Sequence, residues 1–111
     1  MIPNLVLLFG LSGAGKTFVG ELVSRELGYF YYDLDLDMTP AMRTAIAAKR
    51  SFTEAERDEY FDLVARRIQE IATQHPRTVF TQGVYKERHR ELLRRRVPGL
   101  AMVWILSLIH I

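Results

Sequence analysis

The chain has 111 residues, of which 49% are hydrophobic and 25% charged, and these proportions predict one globular domain over residues 1–111 rather than a disordered or fibrous chain. Fifteen basic and thirteen acidic residues give a formal net charge of +2, which is too small to indicate nucleic-acid binding through bulk charge. The sequence has no cysteine, so disulfides, thiolate metal sites and cysteine nucleophiles are excluded.

The charged and apolar residues are unevenly distributed along the chain. Nine of the acidic residues lie in residues 1–59, and nine of the basic residues lie in residues 60–111. The apolar stretch 5–9 is too short for a signal-peptide core, and the stretch 99–109 falls below the roughly 18 residues that a membrane span needs. We therefore expect a cytoplasmic protein with no membrane partner and no nucleic-acid partner.

The first half of the chain predicts two strands, one complete helix and the start of a second helix. Residues 5–9 form a continuous apolar run, typical of a buried parallel strand. Apolar residues recur at helical spacing through residues 16–27, and Gly28 suits the position just past a helix end. The aromatic run 29–32 predicts a second strand. Thr39, followed by proline, is typical of a helix start.

The second half continues the alternation of helices and strands. Thr53 and Glu56 form a Thr-x-x-Glu capping box, which predicts a long helix that a later proline ends. Strands are expected at residues 78–81 and from 101 to about 106, with a helix over residues 86–95 between them. Strands that alternate with helices predict a parallel sheet in a three-layer α/β fold.

The most specific motif is the segment Gly-Leu-Ser-Gly-Ala-Gly-Lys-Thr at residues 10–17, which matches the phosphate-binding P-loop pattern at every fixed position. Glycines allow backbone N–H groups to converge on phosphate oxygens, and the following helix offers its positive end to the same anion. We expect Lys16 to reach the β and γ phosphates of ATP and Thr17 to ligate Mg²⁺. The alternative is a glycine-rich turn that only precedes a helix. The predicted nucleotide-binding residues are Gly10, Ser12, Gly13, Ala14, Gly15, Lys16 and Thr17.

Two acidic residues, Asp33 and Asp35, follow the second predicted strand. Because the carboxyl ends of parallel strands face the ligand crevice, both are expected to lie near the γ phosphate. A solvated acidic turn is the alternative. The strand 78–81 ends without the carboxylate that GTPases and motor ATPases normally carry there, so those classes are disfavoured.

With its P-loop and Asp-x-Asp pair, the sequence resembles the P-loop small-molecule kinases of the shikimate kinase and gluconate kinase group. Residues 53–57 look like the Thr-Asp-Glu-Asp-Arg segment of gluconate kinases, and residues 86–94 are similar to their Lys-x-x-Tyr-Arg-Asp-x-Leu-Arg stretch. The resemblance is closer to gluconate kinase. Residues 82–84, Gln-Gly-Val, match neither the triple glycine of shikimate kinases nor the Cys-Ser-Ala of gluconate kinases.

The resemblance implies a role for each matching residue. Lys16 and Asp33 become the catalytic pair, with Asp33 close to Mg²⁺ or to the acceptor hydroxyl and Thr17 as the other metal ligand. Asp35 and Arg57 are implied to bind the acceptor, and Lys86 and Arg90 to hold an anionic substrate. Two alternatives stay open. The basic helix 86–96 has the composition of a solvated face, and Arg57 has the spacing to pair with Glu54 or Asp62 on its own helix.

The function implied is ATP-dependent phosphoryl transfer, with Mg²⁺, to a hydroxyl of a small metabolite such as a sugar acid. The alternatives are a nucleotide-binding module without turnover, that is, a truncated or degenerate kinase, or a regulatory NTPase. Kinases of this group continue into a lid and a fifth strand, and residues 107–111 resemble no lid. We therefore expect an incomplete, truncated P-loop NTPase fold with four strands, whose exposed last strand favours a homodimer.

Overall fold

The computed structural model describes residues 2–11 and 15–106. Three predicted nucleotide-binding residues, Ser12, Gly13 and Ala14, lie outside the described residues, as does the C-terminal segment 107–111 that was expected to resemble no lid. The first and last parts of the phosphate-binding motif are described.

Every predicted helix and strand is confirmed, with ends that differ by a residue or two. The second strand begins one residue later than predicted because Tyr29 turns into the core, where it is buried and its hydroxyl donates to the carbonyl of Pro3. The strands are β1 (Leu5–Phe9), β2 (Phe30–Asp33), β3 (Thr78–Thr81) and β4 (Leu100–Trp104), and the helices are α1 (Lys16–Leu27), α2 (Pro40–Ala47), α3 (Glu54–Gln74) and α4 (Glu87–Arg96). A 3₁₀ turn, Leu34–Asp37, follows β2.

The described strands form a parallel sheet in the order β2-β3-β1-β4. Asp33 at the end of β2 pairs with Thr81 at the end of β3, and Phe9 at the end of β1 pairs with Trp104 at the end of β4. The carboxyl ends of all four strands therefore reach one edge, where the phosphate-binding motif also begins. The predicted α/β parallel-sheet fold is confirmed.

Helices cover both faces of this sheet. On one face, α1 packs against Leu8 and Val79 through Val19 and Val23. The helix approaches closely at Gly20, where an added Cβ would lie 2.7 Å from the ring of Tyr31. A larger residue at position 20 would push α1, and the phosphate-binding motif at its start, away from the sheet.

The other face carries the larger core, which α3 and α4 cover. Phe80 and Leu7 from the sheet are fully buried against Val64 and Ile68 of α3 and Leu93 of α4. Among the described residues, no helix has both the length and the apolar character to span a membrane.

Threonine caps begin α2 and α3, as the sequence predicts. The Thr39 hydroxyl accepts from the Met42 amide at 3.2 Å. At α3 the Thr53 hydroxyl accepts from the Glu56 amide at 3.1 Å, and the Glu56 carboxylate accepts from the Thr53 amide at 2.8 Å. The capping box fixes where α3 begins, and Arg57 lies on its first turns.

Candidate active site

The phosphate-binding motif links β1 to α1. Gly15 caps α1 with a φ of 102°, a conformation that a side chain would disfavour. Lys16 and Thr17 begin the helix, so their backbone amides lie at its positive end. The Lys16 Nζ donates to the carbonyl oxygens of Gly10 at 2.9 Å and Leu11 at 3.0 Å. The ammonium group is therefore held against the loop that is predicted to surround phosphate.

The two predicted acidic residues lie on the turn that follows β2. Asp33 caps this turn, and its Oδ1 accepts from the Asp35 amide at 2.9 Å. Asp33 is half-buried, whereas Asp35 is exposed. The capping bond uses one carboxylate oxygen of Asp33, so the other oxygen can serve a ligand.

A cavity of about 310 Å³, here called the loop cavity, separates the phosphate-binding motif from this turn. It is lined by Gly15, Lys16, Thr17, Asp33, Asp35, Thr81 and Gln82. The Thr17 hydroxyl and the Asp33 carboxylate are hard oxygen donors, of the kind that Mg²⁺ prefers when it also binds substrate phosphates. The structure thus brings Lys16, Thr17 and Asp33 to one cavity.

A second cavity of about 240 Å³, here called the helix cavity, lies beside the first and is walled by α3 and the start of α4. It is lined by Lys16, Asp35, Met38, Met42, Phe52, Arg57, Tyr60, Phe61, Gln82, Gly83, Tyr85, Lys86 and His89. Lys16, Asp35 and Gln82 line both cavities. The two cavities therefore meet at a cation, a carboxylate and an amide.

Arg57 and Lys86 bring positive charge to the helix cavity in different ways. Lys86 Nζ lies 2.8 Å from a Glu54 carboxylate oxygen, so its charge is partly neutralised. Arg57 makes no ion pair among the described residues, although its charge interacts with the Glu54 carboxylate at longer range. Its guanidinium lies 5.7 Å from the centre of the Phe52 ring. The alternative pairing of Arg57 with Glu54 or Asp62 is not observed, since those carboxylates meet other bases.

Arg90, which the resemblance grouped with Lys86, lies elsewhere. Its Nη1 donates to the carbonyl oxygens of Val84 at 2.8 Å and Tyr85 at 3.1 Å, and its Nη2 lies 2.8 Å from a Glu87 carboxylate oxygen. The side chain lines a separate cavity beside the ends of β1 and β4. The structure therefore does not bring Arg90 to the helix cavity with Lys86, because the helix geometry turns its guanidinium back onto the loop before α4.

Three buried polar residues of the helix cavity, Tyr60, Gln82 and His89, were not predicted as site residues from the sequence. Tyr60 is buried, and its hydroxyl donates to the Leu34 carbonyl at 2.7 Å; burial and the nearby Asp35 carboxylate raise its pKa above the usual range. Gln82 is 8% exposed. His89 is buried, stacks on Phe61 and has its Nε2 2.9 Å from an Asp58 carboxylate oxygen. For Tyr60 and His89, the signal in the sequence was a residue with a polar group at a buried position of its helix.

A second set of contacts holds the acidic turn to α3. The Tyr32 hydroxyl donates to Asp37 at 2.7 Å, and Arg67 Nε lies 3.3 Å from the same carboxylate oxygen. Burial, followed by the hydrogen bond to Asp37, raises the pKa of Tyr32 to about 12. Tyr32 therefore stays protonated and donating, which keeps the turn that carries Asp33 and Asp35 fixed.

Comparison with known protein families gives a match over most of the chain. Residues 12–106 match the family described as shikimate kinase. Proteins named shikimate kinase from Chlorobaculum parvum and Moorella thermoacetica are 33% identical over 94 residues and 32% identical over 107 residues. These alignments cover 83% and 94% of this chain but 49% and 58% of the relatives. The chain thus spans about half the length of the curated relatives it matches.

Solved structures show the same fold. A gluconokinase from Sinorhizobium meliloti superposes with a TM-score of 0.78 at 26% identity, covering 92% of this chain and 57% of that one. A sugar kinase from Janibacter superposes with a TM-score of 0.80 at 22% identity, covering 94% of this chain and 60% of that one. At that identity the second match supports the fold alone.

Proposed function

This chain belongs to the shikimate kinase family, and from that membership we propose that it carries a site for ATP-dependent phosphoryl transfer to a hydroxyl of a small hydroxylated carboxylate. One observation carries the proposal. The loop cavity, with its phosphate-binding motif, meets the helix cavity at Lys16, Asp35 and Gln82. A phosphoryl group held in the first cavity would face a hydroxyl held in the second, as in-line transfer requires.

The loop cavity is proposed to bind the phosphates of MgATP. Lys16 would exchange its two loop carbonyls for β and γ phosphate oxygens, and the Thr17 hydroxyl and the Asp33 carboxylate would hold Mg²⁺. Phosphoryl transfer spreads negative charge over the γ oxygens, and these groups neutralise it. The Asp33 oxygen that its capping bond leaves free can ligate Mg²⁺ or, when it is off the metal, orient the acceptor hydroxyl and accept its proton.

The helix cavity is proposed to bind the acceptor. Arg57 makes no ion pair among the described residues, so it is the first choice to bind an acceptor carboxylate, and Lys86 is the second because Glu54 already holds it. Asp35 is suited to accept from an acceptor hydroxyl. Shikimate and gluconate are both hydroxylated carboxylates, and they are the substrates named for the relatives and for one solved structure.

The proposal favours a kinase over a nucleotide-binding module or a regulatory NTPase. A module would need no second cavity lined with Arg57 and the Asp35 carboxylate beside the phosphate site. A regulatory NTPase would be expected to carry an acid at the end of β3, where this chain has Gln82.

The test is ADP release with ATP and either shikimate or gluconate. We expect one of these acceptors to raise ADP release well above the rate without acceptor. Arg57→Met should raise the acceptor KM by about 10-fold or more while changing the ATP KM little, since a charge-assisted hydrogen bond is lost. Lys86→Met should have a smaller effect. Arg95→Met is the matched control, because Arg95 is exposed on α4 and makes no ion pair among the described residues.

Two outcomes would overturn the proposal. One is an ADP release rate that neither acceptor changes. The other is an Arg57→Met variant whose acceptor KM matches that of the Arg95→Met control.

A further inference from the structure

Gln82 follows β3 directly and departs from both related kinase patterns. Its side chain is 8% exposed and lies where the loop cavity meets the helix cavity. A buried amide has to find hydrogen-bond partners on both its oxygen and its nitrogen, or it costs free energy. The partners of Gln82 therefore show what the residue does.

The hydrogen-bond partners determine which position of the Gln82 side-chain amide is the oxygen and which is the nitrogen. The Gly83 backbone N–H can only donate, and it lies 2.7 Å from Oε1 of Gln82. That leaves Nε2 to donate to the Asp35 carboxylate at 2.8 Å and to the Tyr60 hydroxyl. Tyr60 can accept because its own proton is donated to the carbonyl of Leu34. Each group has one consistent role, so the network has a single orientation.

We propose that Gln82 is a positioning residue that fixes the Asp35 carboxylate toward the acceptor, an inference that rests on the proposed function. Asp35 is exposed on a short turn and would otherwise sample several rotamers. The hydrogen bond from the Gln82 side-chain amide uses Oδ1 of Asp35 and leaves Oδ2 for the acceptor hydroxyl. Through Tyr60, the same amide also ties the backbone of the turn to α3.

The side chain of Gln82 is matched to this role by both charge and length. A glutamate of the same shape would place a carboxylate against Asp35 and repel it. A methionine would fill the space, but it would leave Asp35, Tyr60 and the Gly83 amide without this partner. Gln82→Met therefore removes the hydrogen bonds without adding charge, and Gln82→Glu adds a negative charge. Both changes keep the side-chain volume nearly constant.

The experiment compares Gln82→Met and Gln82→Glu with wild type, using shikimate and gluconate. We expect each variant to raise the acceptor KM by about 10-fold or more and to change the ATP KM by less than about 3-fold, because only the contact between Asp35 and the acceptor hydroxyl is disordered. Gln69→Met is the matched control. Its amide donates to the Arg96 carbonyl at 2.6 Å, and Gln69 lines neither cavity.

A double-mutant cycle tests whether Gln82 acts through Asp35. If it does, Gln82→Met should add little to the rise in acceptor KM already caused by Asp35→Asn. Additive effects, or equal losses of acceptor and ATP affinity, would overturn the positioning role and indicate a general structural one.

A measurement independent of turnover separates this inference from the proposed function. Hydrogen exchange of residues 33–38 should be at least several-fold faster in Gln82→Met than in wild type, and unchanged in Gln69→Met. If wild type uses neither acceptor but this exchange difference is found, the proposed function fails and the positioning of the turn stands. Unchanged exchange in Gln82→Met would overturn the inference whatever the activity.

Discussion

Lys16 donates both observed hydrogen bonds to carbonyls of its own loop, and we propose that β and γ phosphate oxygens replace these carbonyls when ATP binds. We predict that Lys16→Ala abolishes phosphoryl transfer and weakens ATP binding more than AMP binding, since AMP lacks those phosphates. Calorimetric titration with the two nucleotides measures the difference. The control is Arg25→Ala, an exposed change on the same helix. Equal loss of affinity for AMP and ATP would contradict the assignment.

Asp33 combines a capping role with the chemistry proposed for its carboxylate. Asparagine keeps an oxygen that can accept from the Asp35 amide, so Asp33→Asn should leave the turn intact. We predict that ATP affinity stays within a few-fold while kcat falls by roughly 100-fold or more, the usual contribution of a positioned base. Asp62→Asn, which removes an exposed carboxylate of α3, serves as the control. Full turnover by Asp33→Asn would mean that the acidic turn is only solvated.

At the scale of the elements, the start of α3 depends on ionised Glu56. Its two carboxylate oxygens accept from Arg50 at 2.9 and 2.8 Å, and one of them also accepts from the Thr53 amide. The Arg50 hydrogen bonds, followed by the Thr53 amide, lower the pKa of Glu56 from 4.5 to about 2. A depressed folded-state pKa stabilises the fold above pH 4.5, and this contribution is lost as the pH falls toward 2.

We predict that Glu56→Gln lowers the free energy of unfolding at neutral pH and that its difference from wild type shrinks between pH 4.5 and pH 2. Glutamine keeps a capping oxygen but loses the charge. Urea denaturation across this range measures the difference. Glu59→Gln is the control, since Glu59 is exposed and makes no ion pair among the described residues. A difference that is constant with pH would contradict the role of the Glu56 charge.

The elements themselves were largely predictable because their signals are local. The capping box at Thr53, the Thr39-Pro start and the Gly28 stop each lie within a few residues of the boundary they set. The ion pairs of the basic helix α4 were harder to predict from the sequence. Arg88, Arg94 and Arg95 are exposed, as expected of a solvated face, whereas Arg90 and Arg96 are half-buried. Most of these bases are paired, for example Arg88 with Glu54 and Asp58 of α3. Such pairs depend on the packing of two helices that sequence patterns do not place together.

The site was predictable only where one segment carries it. The phosphate-binding motif and the acidic turn each lie in a short stretch, and the loop cavity brings them together. Gln82 contacts Asp35 across 47 residues and Tyr60 across 22. Those contacts follow from β3 lying between β2 and β1, so they could not be predicted before the strand order was known. The family resemblance is confirmed.

At the scale of the whole molecule, the described sheet ends at β4, whose end is apolar and exposed. Val103 is 42% exposed and Trp104 is 66% exposed. Edge strands with exposed apolar residues favour self-association. We predict that the chain associates with increasing concentration and that Val103→Lys weakens this association. Sedimentation velocity across a concentration series measures it, and Ile46→Lys on α2, also exposed, is the control. Equal association of both variants would contradict a role for β4.

The central claim is that the two cavities together perform phosphoryl transfer to a bound hydroxyl rather than to water. The most direct measurement follows the γ phosphoryl of labelled ATP in the presence of shikimate or gluconate. We predict that the label moves to one of these acceptors, and that Lys16→Ala and Asp33→Asn each abolish most of this transfer. Label that appears only as inorganic phosphate, or that stays on ATP while ATP binds tightly, would contradict the claim.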